Sequence, residues 1–135
     1  MNDILKIRGR NYLGFVYGIP SFALIKNKRI LCIYDGKSDC IINEDSIERY
    51  TGKCDSNGKE IYEGDIVKIT KKKIDGAGYS IFNIVVKWDK DAMAFMACAA
   101  ENQVPMSWFS NLSDNKREVI GNIHENPELL GEDYN

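Results

Sequence analysis

Turn signals recur along this chain at intervals near ten residues, too close together for a long helical stripe, which confines the sequence to short strands. Gly18 and Pro20 close the run Phe15-Val16-Tyr17, Asp35-Gly36 follows Ile30 to Tyr34, and Asp89-Lys90-Asp91 follows the β-branched run from Ile81 to Trp88. Phe22 to Ile25, the polar stretch Lys26 to Arg29 and Ile30 to Tyr34 together predict a hairpin. Asn57-Gly58 predicts another, because that dipeptide suits the positive φ angles of a two-residue turn. Further strands are expected at Leu5 to Arg8, Cys40 to Ile42, Ile66 to Ile69, Ala92 to Ala100 and Glu118 to Ile123. Helical signals are short: Asp45 or Ser46 can cap a turn that Thr51-Gly52 ends, Ser107 to Leu112 has room for one turn, and Asn126-Pro127 supplies a cap and a proline at the first helical position.

The expected class is mainly β, a small barrel or roll with an SH3-like C-terminal part and one or two short helices. A β lobe over residues 1–49 precedes a second over 50–135. With 44% hydrophobic and 28% charged residues in 135, a core can form without staples. Cys32, Cys40, Cys54 and Cys98 show no CxxC spacing and the single histidine is His124, so reduced thiols, no metal site and no cofactor are expected. No stretch reaches the roughly 18 apolar residues of a membrane span, and the opening lacks the apolar core of a secretion signal. A cytoplasmic location without a membrane partner is therefore expected.

Charge is nearly balanced, 18 basic residues against 20 acidic, but is spread unevenly. Met1 to Lys73 holds 14 Lys and Arg against 10 Asp and Glu, or +4, and Ile74 to Asn135 holds 4 against 10, or −6. Such a split suits an acidic partner for the first half or head-to-tail packing between copies, and placement on solvated faces explains it equally well.

The segment Tyr50-Thr51-Gly52, followed by Asp55-Ser56-Asn57-Gly58-Lys59-Glu60-Ile61-Tyr62-Glu63-Gly64-Asp65-Ile66-Val67, resembles the signature of the YopX family of phage and prophage proteins. Phe15 to Gly18, Val85 to Asp89 and Glu118 to Leu130 resemble further family segments in the same order, and Lys53-Cys54 departs from the family's usual Leu followed by a basic or polar residue. The resemblance implies a mostly β architecture ending in an SH3-like domain, encoded by phages or prophages of a bacterial host, with no established activity.

Most of the signature is explained by turn chemistry, with Gly52, Gly58 and Gly64 at chain reversals and Asp55 and Asn57 bonding nearby backbone. Tyr50, Tyr62, Glu63 and Asp65 set two amphipathic aromatics beside two acids, a candidate interaction surface for a peptide or an amine. Lys68, Lys71, Lys72 and Lys73 are candidate nucleic-acid contacts. No catalytic set is found: adjacent His124 and Glu125 point to opposite faces of a strand, and neither GxSxG nor GxxxxGK[ST] occurs. Trp88 and Trp108 read as core or interface anchors. The favoured function is therefore a non-enzymatic protein-interaction or self-assembling module, a homo-oligomer whose protein partner is unidentified. Nucleic-acid binding is the alternative, possible but not favoured.

Overall fold

The computed structural model describes residues 6–112 and 115–130. Its contacts gather into two units, Met1–Gly52 and Lys53–Asn135, so the sequence boundary at 49/50 falls inside a strand. The six lysines Lys53, Lys59, Lys68, Lys71, Lys72 and Lys73 belong to the second unit. Redrawn on the units, the charge is 8 basic against 6 acidic, or +2, and 10 against 14, or −4. The split along the chain is thus softened by the fold.

In the first unit, β1 (Ile7–Asn11), β2 (Gly14–Ile25), β3 (Lys28–Tyr34), β4 (Asp39–Ile41) and β5 (Glu48–Cys54) lie in the order β4-β3-β2-β1-β5. The long strand β2 changes partner midway: Gly14 to Gly18 pair with β1, and Ile19 to Ile25 pair with β3. At the handover, a Cβ on Gly18 would lie 2.0 Å from the Tyr34 carbonyl oxygen, so only glycine fits there. The β2–β3 turn is two residues long, Lys26 and Asn27, both at positive φ. Lys28 and Arg29, grouped with the turn from sequence, begin β3. On the neighbouring pair, buried Arg8 of β1 sits opposite Glu48 of β5 and its Nε donates to Glu48 Oε1 at 2.8 Å, while its guanidinium lies 4.6 Å from the Phe15 ring centre.

The helix expected after Asn43 is a single 3-10 turn, Glu44–Ser46, and neither Asp45 nor Ser46 caps it. Ser46 is buried instead. Its hydroxyl accepts from the Arg10 amide at 2.7 Å and donates to the Asn43 carbonyl at 2.6 Å, a tie to β1 that competes with any longer helix.

The second unit is built on a five-stranded antiparallel sheet, β10-β9-β8-β7-β11. Its strands are β7 (Asp65–Lys72), β8 (Tyr79–Asp89), β9 (Ala94–Ala99), β10 (Pro105–Trp108) and β11 (Lys116–Asn122), preceded by the short β6 (Glu60–Tyr62). Among the described residues this sheet keeps two ends and does not close into the expected barrel. Its centre is covered on both sides, which explains the unbroken apolar runs Ile66-Val67 and Ile84-Val85-Val86. One face packs Val67, Ile69, Ile84, Val86 and Ala97 with Ile61, Phe109 and Leu112; the other packs Ile66, Val85 and Ala100 with Leu130. Trp88 is anchored by an edge-on contact with Phe95, and Trp108 stays half exposed. The alanine-rich segment is strand β9, and 3-10 turns occupy Phe109–Leu112 and Pro127–Leu129.

Asn57-Gly58 does form a reversal, but of a different kind from the two-residue turn. The Gly58 amide donates to the Asp55 carbonyl at 3.0 Å, and Gly58 alone carries a positive φ of 86°, the pattern of a longer loop with one left-handed glycine. A Cβ at Gly58 would meet nothing within 4 Å, so only backbone strain opposes substitution. Gly58→Val is expected to cost about 1 kcal/mol or more, read as a lowered melting temperature.

Candidate functional site

The signature segment folds around Asp55, which is buried at the loop between β5 and β6. Its Oδ1 accepts the amides of Asn57 and Lys59, both at 2.9 Å, and its Oδ2 accepts the Val119 amide of β11 at 2.9 Å. Ser56 adds two bonds to the same strand, its amide to the Arg117 carbonyl at 2.8 Å and its hydroxyl receiving the Arg117 amide at 2.9 Å. Arg117 Nη2 reaches the Cys54 carbonyl at 3.2 Å. Burial raises the Asp55 carboxyl, but the amides of Val119, Lys59 and Asn57, with the Lys59 charge, outweigh it and hold it below the usual carboxylate value.

The second half of the signature is consumed in the same way. Asp65 is buried and its Oδ2 accepts the Tyr62 amide at 2.8 Å; Tyr62 is also buried, with its hydroxyl donating to Glu60 Oε1 at 3.0 Å. Gly64 ties β8 to the turn that follows β11, donating to the Val86 carbonyl at 2.7 Å and accepting from the Ile123 amide at 2.9 Å. The proposed surface of Tyr50, Tyr62, Glu63 and Asp65 is therefore corrected. Two of its members are interior, because a carboxylate that satisfies backbone amides and a tyrosine with a carboxylate acceptor can both be buried. Glu63 is half-buried, and Tyr50 lies in the first unit, where its ring is 5.6 Å from Lys6 Nζ.

The segment from Glu118 to Leu130 is likewise structural. Asn122 Oδ1 accepts the amides of His124 and Glu125 at 3.0 and 2.9 Å, and its Nδ2 donates to Glu125 Oε1 at 2.8 Å. Glu125 thus serves the turn around Asn122. Asn126, expected as a helix cap, makes no such bond and instead accepts the Asn122 amide at 3.2 Å.

The lysine set is divided by the pleat of β7. Lys68 and Lys72 point to one face, Lys71 to the other, and Lys73 lies beyond the strand, so the four do not form one line. Cross-strand pairing places Tyr79 opposite Lys72, and Lys116 opposite Thr70, on the Lys68 face. Lys71 shares its face with Ser80 and Phe82. Buried Cys32 and Cys98 have their thiols pushed up by burial, and among the described residues no group of His, Cys, Asp and Glu side chains is placed to hold a metal. Among those residues, too, no helix is long and apolar enough to cross a membrane.

A feature with no functional reading from sequence is the β2–β3 ribbon of the first unit. Phe22 (53%) and Leu24 (75%) are exposed on one face, and Ile19, Ile25 and Tyr34 on the other, beside Ile41 of the neighbouring β4. Arg29 lies over the Phe22 ring at 4.3 Å. The signal was the run Phe22-Ala23-Leu24-Ile25 facing Ile30-Leu31: with no alternation, a two-sided ribbon must show apolar groups on both sides.

An antiparallel β protein of two units, with its most distinctive segment spent on internal turns, is what these residues define. The chain matches the family model of YopX protein over residues 20–131, most of its length, and belongs to that family. A search of curated proteins found no match.

The Asp55 geometry sets a pH dependence. A folded-state carboxyl held below its unfolded value, about 3.9, contributes stability that is complete above that value and lost as pH falls through the folded one. Asp35, lowered by the Ser38 and Lys37 amides, titrates in the same direction, so the comparison must be made against a variant. Thermal melts of Asp55→Asn between pH 7 and pH 2 should start lower and fall less steeply than wild type; parallel curves would remove Asp55 from the acid response.

Proposed function

We propose that this YopX-family chain is a non-enzymatic protein-interaction module that self-associates, of phage or prophage origin and working in the cytoplasm of the bacterial host. The observation that carries the reading is the β2–β3 ribbon, whose five exposed apolar side chains lie on both faces, with Ile41 of the adjoining β4 beside them. Towards its tip the ribbon shows apolar side chains to water on both faces, and cover by a second copy removes that surface from solvent. A two-fold arrangement suits it, since each ribbon then offers the other the same patch. Phe22 with Arg29 stacked on it supplies an aromatic and a cation of the kind enriched at interface centres.

Sedimentation should reveal a dimer or larger species at micromolar concentration, and Phe22→Ser/Leu24→Ser should shift it to monomer. Both side chains are more than half exposed, so the fold should survive. A wild-type monomer at every concentration would contradict self-association.

Nucleic-acid binding is kept as a second reading by one observation: Lys68, Lys72 and Lys116 share a sheet face with Tyr79, which is 62% exposed. Against it stands the −4 balance of the unit. If the reading holds, affinity for duplex DNA should fall with salt at a log–log slope of about −0.9 per phosphate contacted, and Lys72→Ala/Lys116→Ala should flatten that slope. Absence of binding at low salt would discard it.

A further inference from the structure

On the opposite face from Lys72 and Tyr79, the end of the β7–β8 hairpin and the edge strand β10 line an open groove of about 670 Å³. Its floor is apolar, from half-buried Phe82 and from Met106, which is 55% exposed where the register of β10 shifts between Pro105 and Ser107. Its rim is basic, from Lys71 and Lys73 on either side of Lys72. Beside them Ile74 is fully exposed, an apolar group at a hairpin tip with nothing to cover it.

Among the described residues no carboxylate lies within ion-pair distance of Lys71, Lys72 or Lys73. Asp75, which also lines the groove, has Oδ1 occupied by the Ala77 amide at 2.8 Å, and the loop is closed by Lys73 and Gly78 at 3.0 Å. A basic rim over an apolar floor asks for a ligand with carboxylates flanking an apolar group.

We propose that this groove docks an acidic polypeptide segment, seating one aromatic or aliphatic side chain against Phe82 and Met106 with its carboxylates at Lys71 and Lys73. A short segment with a few carboxylates meets only the local lysines, whereas a nucleic acid carries a charge every few ångströms and would also meet the −4 unit around them. A thioether on an exposed bulge adapts to side chains of differing shape, which suits a peptide anchor. The site lies wholly in the second unit and goes beyond the ribbon interface of the first.

The test is fluorescence anisotropy on the full chain with three fluorescein-labelled probes: a peptide with the core Asp-Glu-Phe-Glu-Asp, the same peptide with Ser in place of Phe, and single-stranded oligo-dT. The Phe peptide should bind, and the Ser peptide should bind at least about tenfold more weakly, the scale of one good anchor. Lys71→Glu/Lys73→Glu and Met106→Ser should each weaken the Phe peptide by a similar factor while leaving the melting temperature unchanged, since all three side chains are exposed. Phe22→Ser/Leu24→Ser should leave peptide binding intact, which separates failure of this site from failure of the ribbon interface. No binding of the Phe peptide, equal binding of the Ser peptide, insensitivity to the groove substitutions, or tighter binding of oligo-dT would each overturn the proposal.

Discussion

The carboxylate of Asp55 accepts amides from its own loop and from a strand 64 residues further on, and the second unit is organised around that junction. A buried carboxylate is costly unless its lone pairs are filled, and three amides at 2.9 Å fill them while satisfying donors that would otherwise be lost to the interior. With Ser56 bonded twice to Arg117, the loop aligns β11 on the sheet from one side as β7 aligns it from the other. The chain beyond β11 depends on that alignment for the Gly64–Ile123 bond, for the Asn122 turn, and for Leu130 closing the second apolar face.

Much of the architecture was legible because strand and turn signals are local. The strands around Ile66, Ile84 and Val119, the β2–β3 hairpin and the strand character of Ala94 to Ala99 arise from composition and punctuation. Misreadings occurred where a tertiary bond competed with a local one. Ser46 has the chemistry of a cap but bonds Arg10 across the unit, and Asn57-Gly58 has the chemistry of a two-residue turn but is remade by Asp55. The pairing of Arg8 with Glu48, 40 residues apart, left no trace in sequence spacing.

The candidate site was less legible than the fold, for a reason rooted in how polar residues are buried. Tyr62 and Asp65 have the composition of a binding face, and their burial, with bonds to the Tyr62 amide and the Glu60 carboxylate, reveals them as interior. The lysines do not share one face, because a strand sends alternate side chains to opposite sides, and the pleat separates Lys71 from Lys68 and Lys72. Exposed apolar surface lies instead at the β2–β3 ribbon and at the groove beneath Lys71. The segment from Tyr50 to Val67 thus builds the scaffold, and the β2–β3 ribbon and the β7–β8 hairpin carry exposed apolar surface.

That division rests on Asp55 as a structural anchor, and native-state hydrogen exchange tests it most directly. In wild type the amides of Asn57, Lys59 and Val119 should be protected, Val119 to a degree near that of the sheet centre. In Asp55→Ala all three should lose protection together, and the loss should extend along β11 to Ile123 while Ile84 to Val86 change least. Protection at Val119 that survives the substitution would contradict the account.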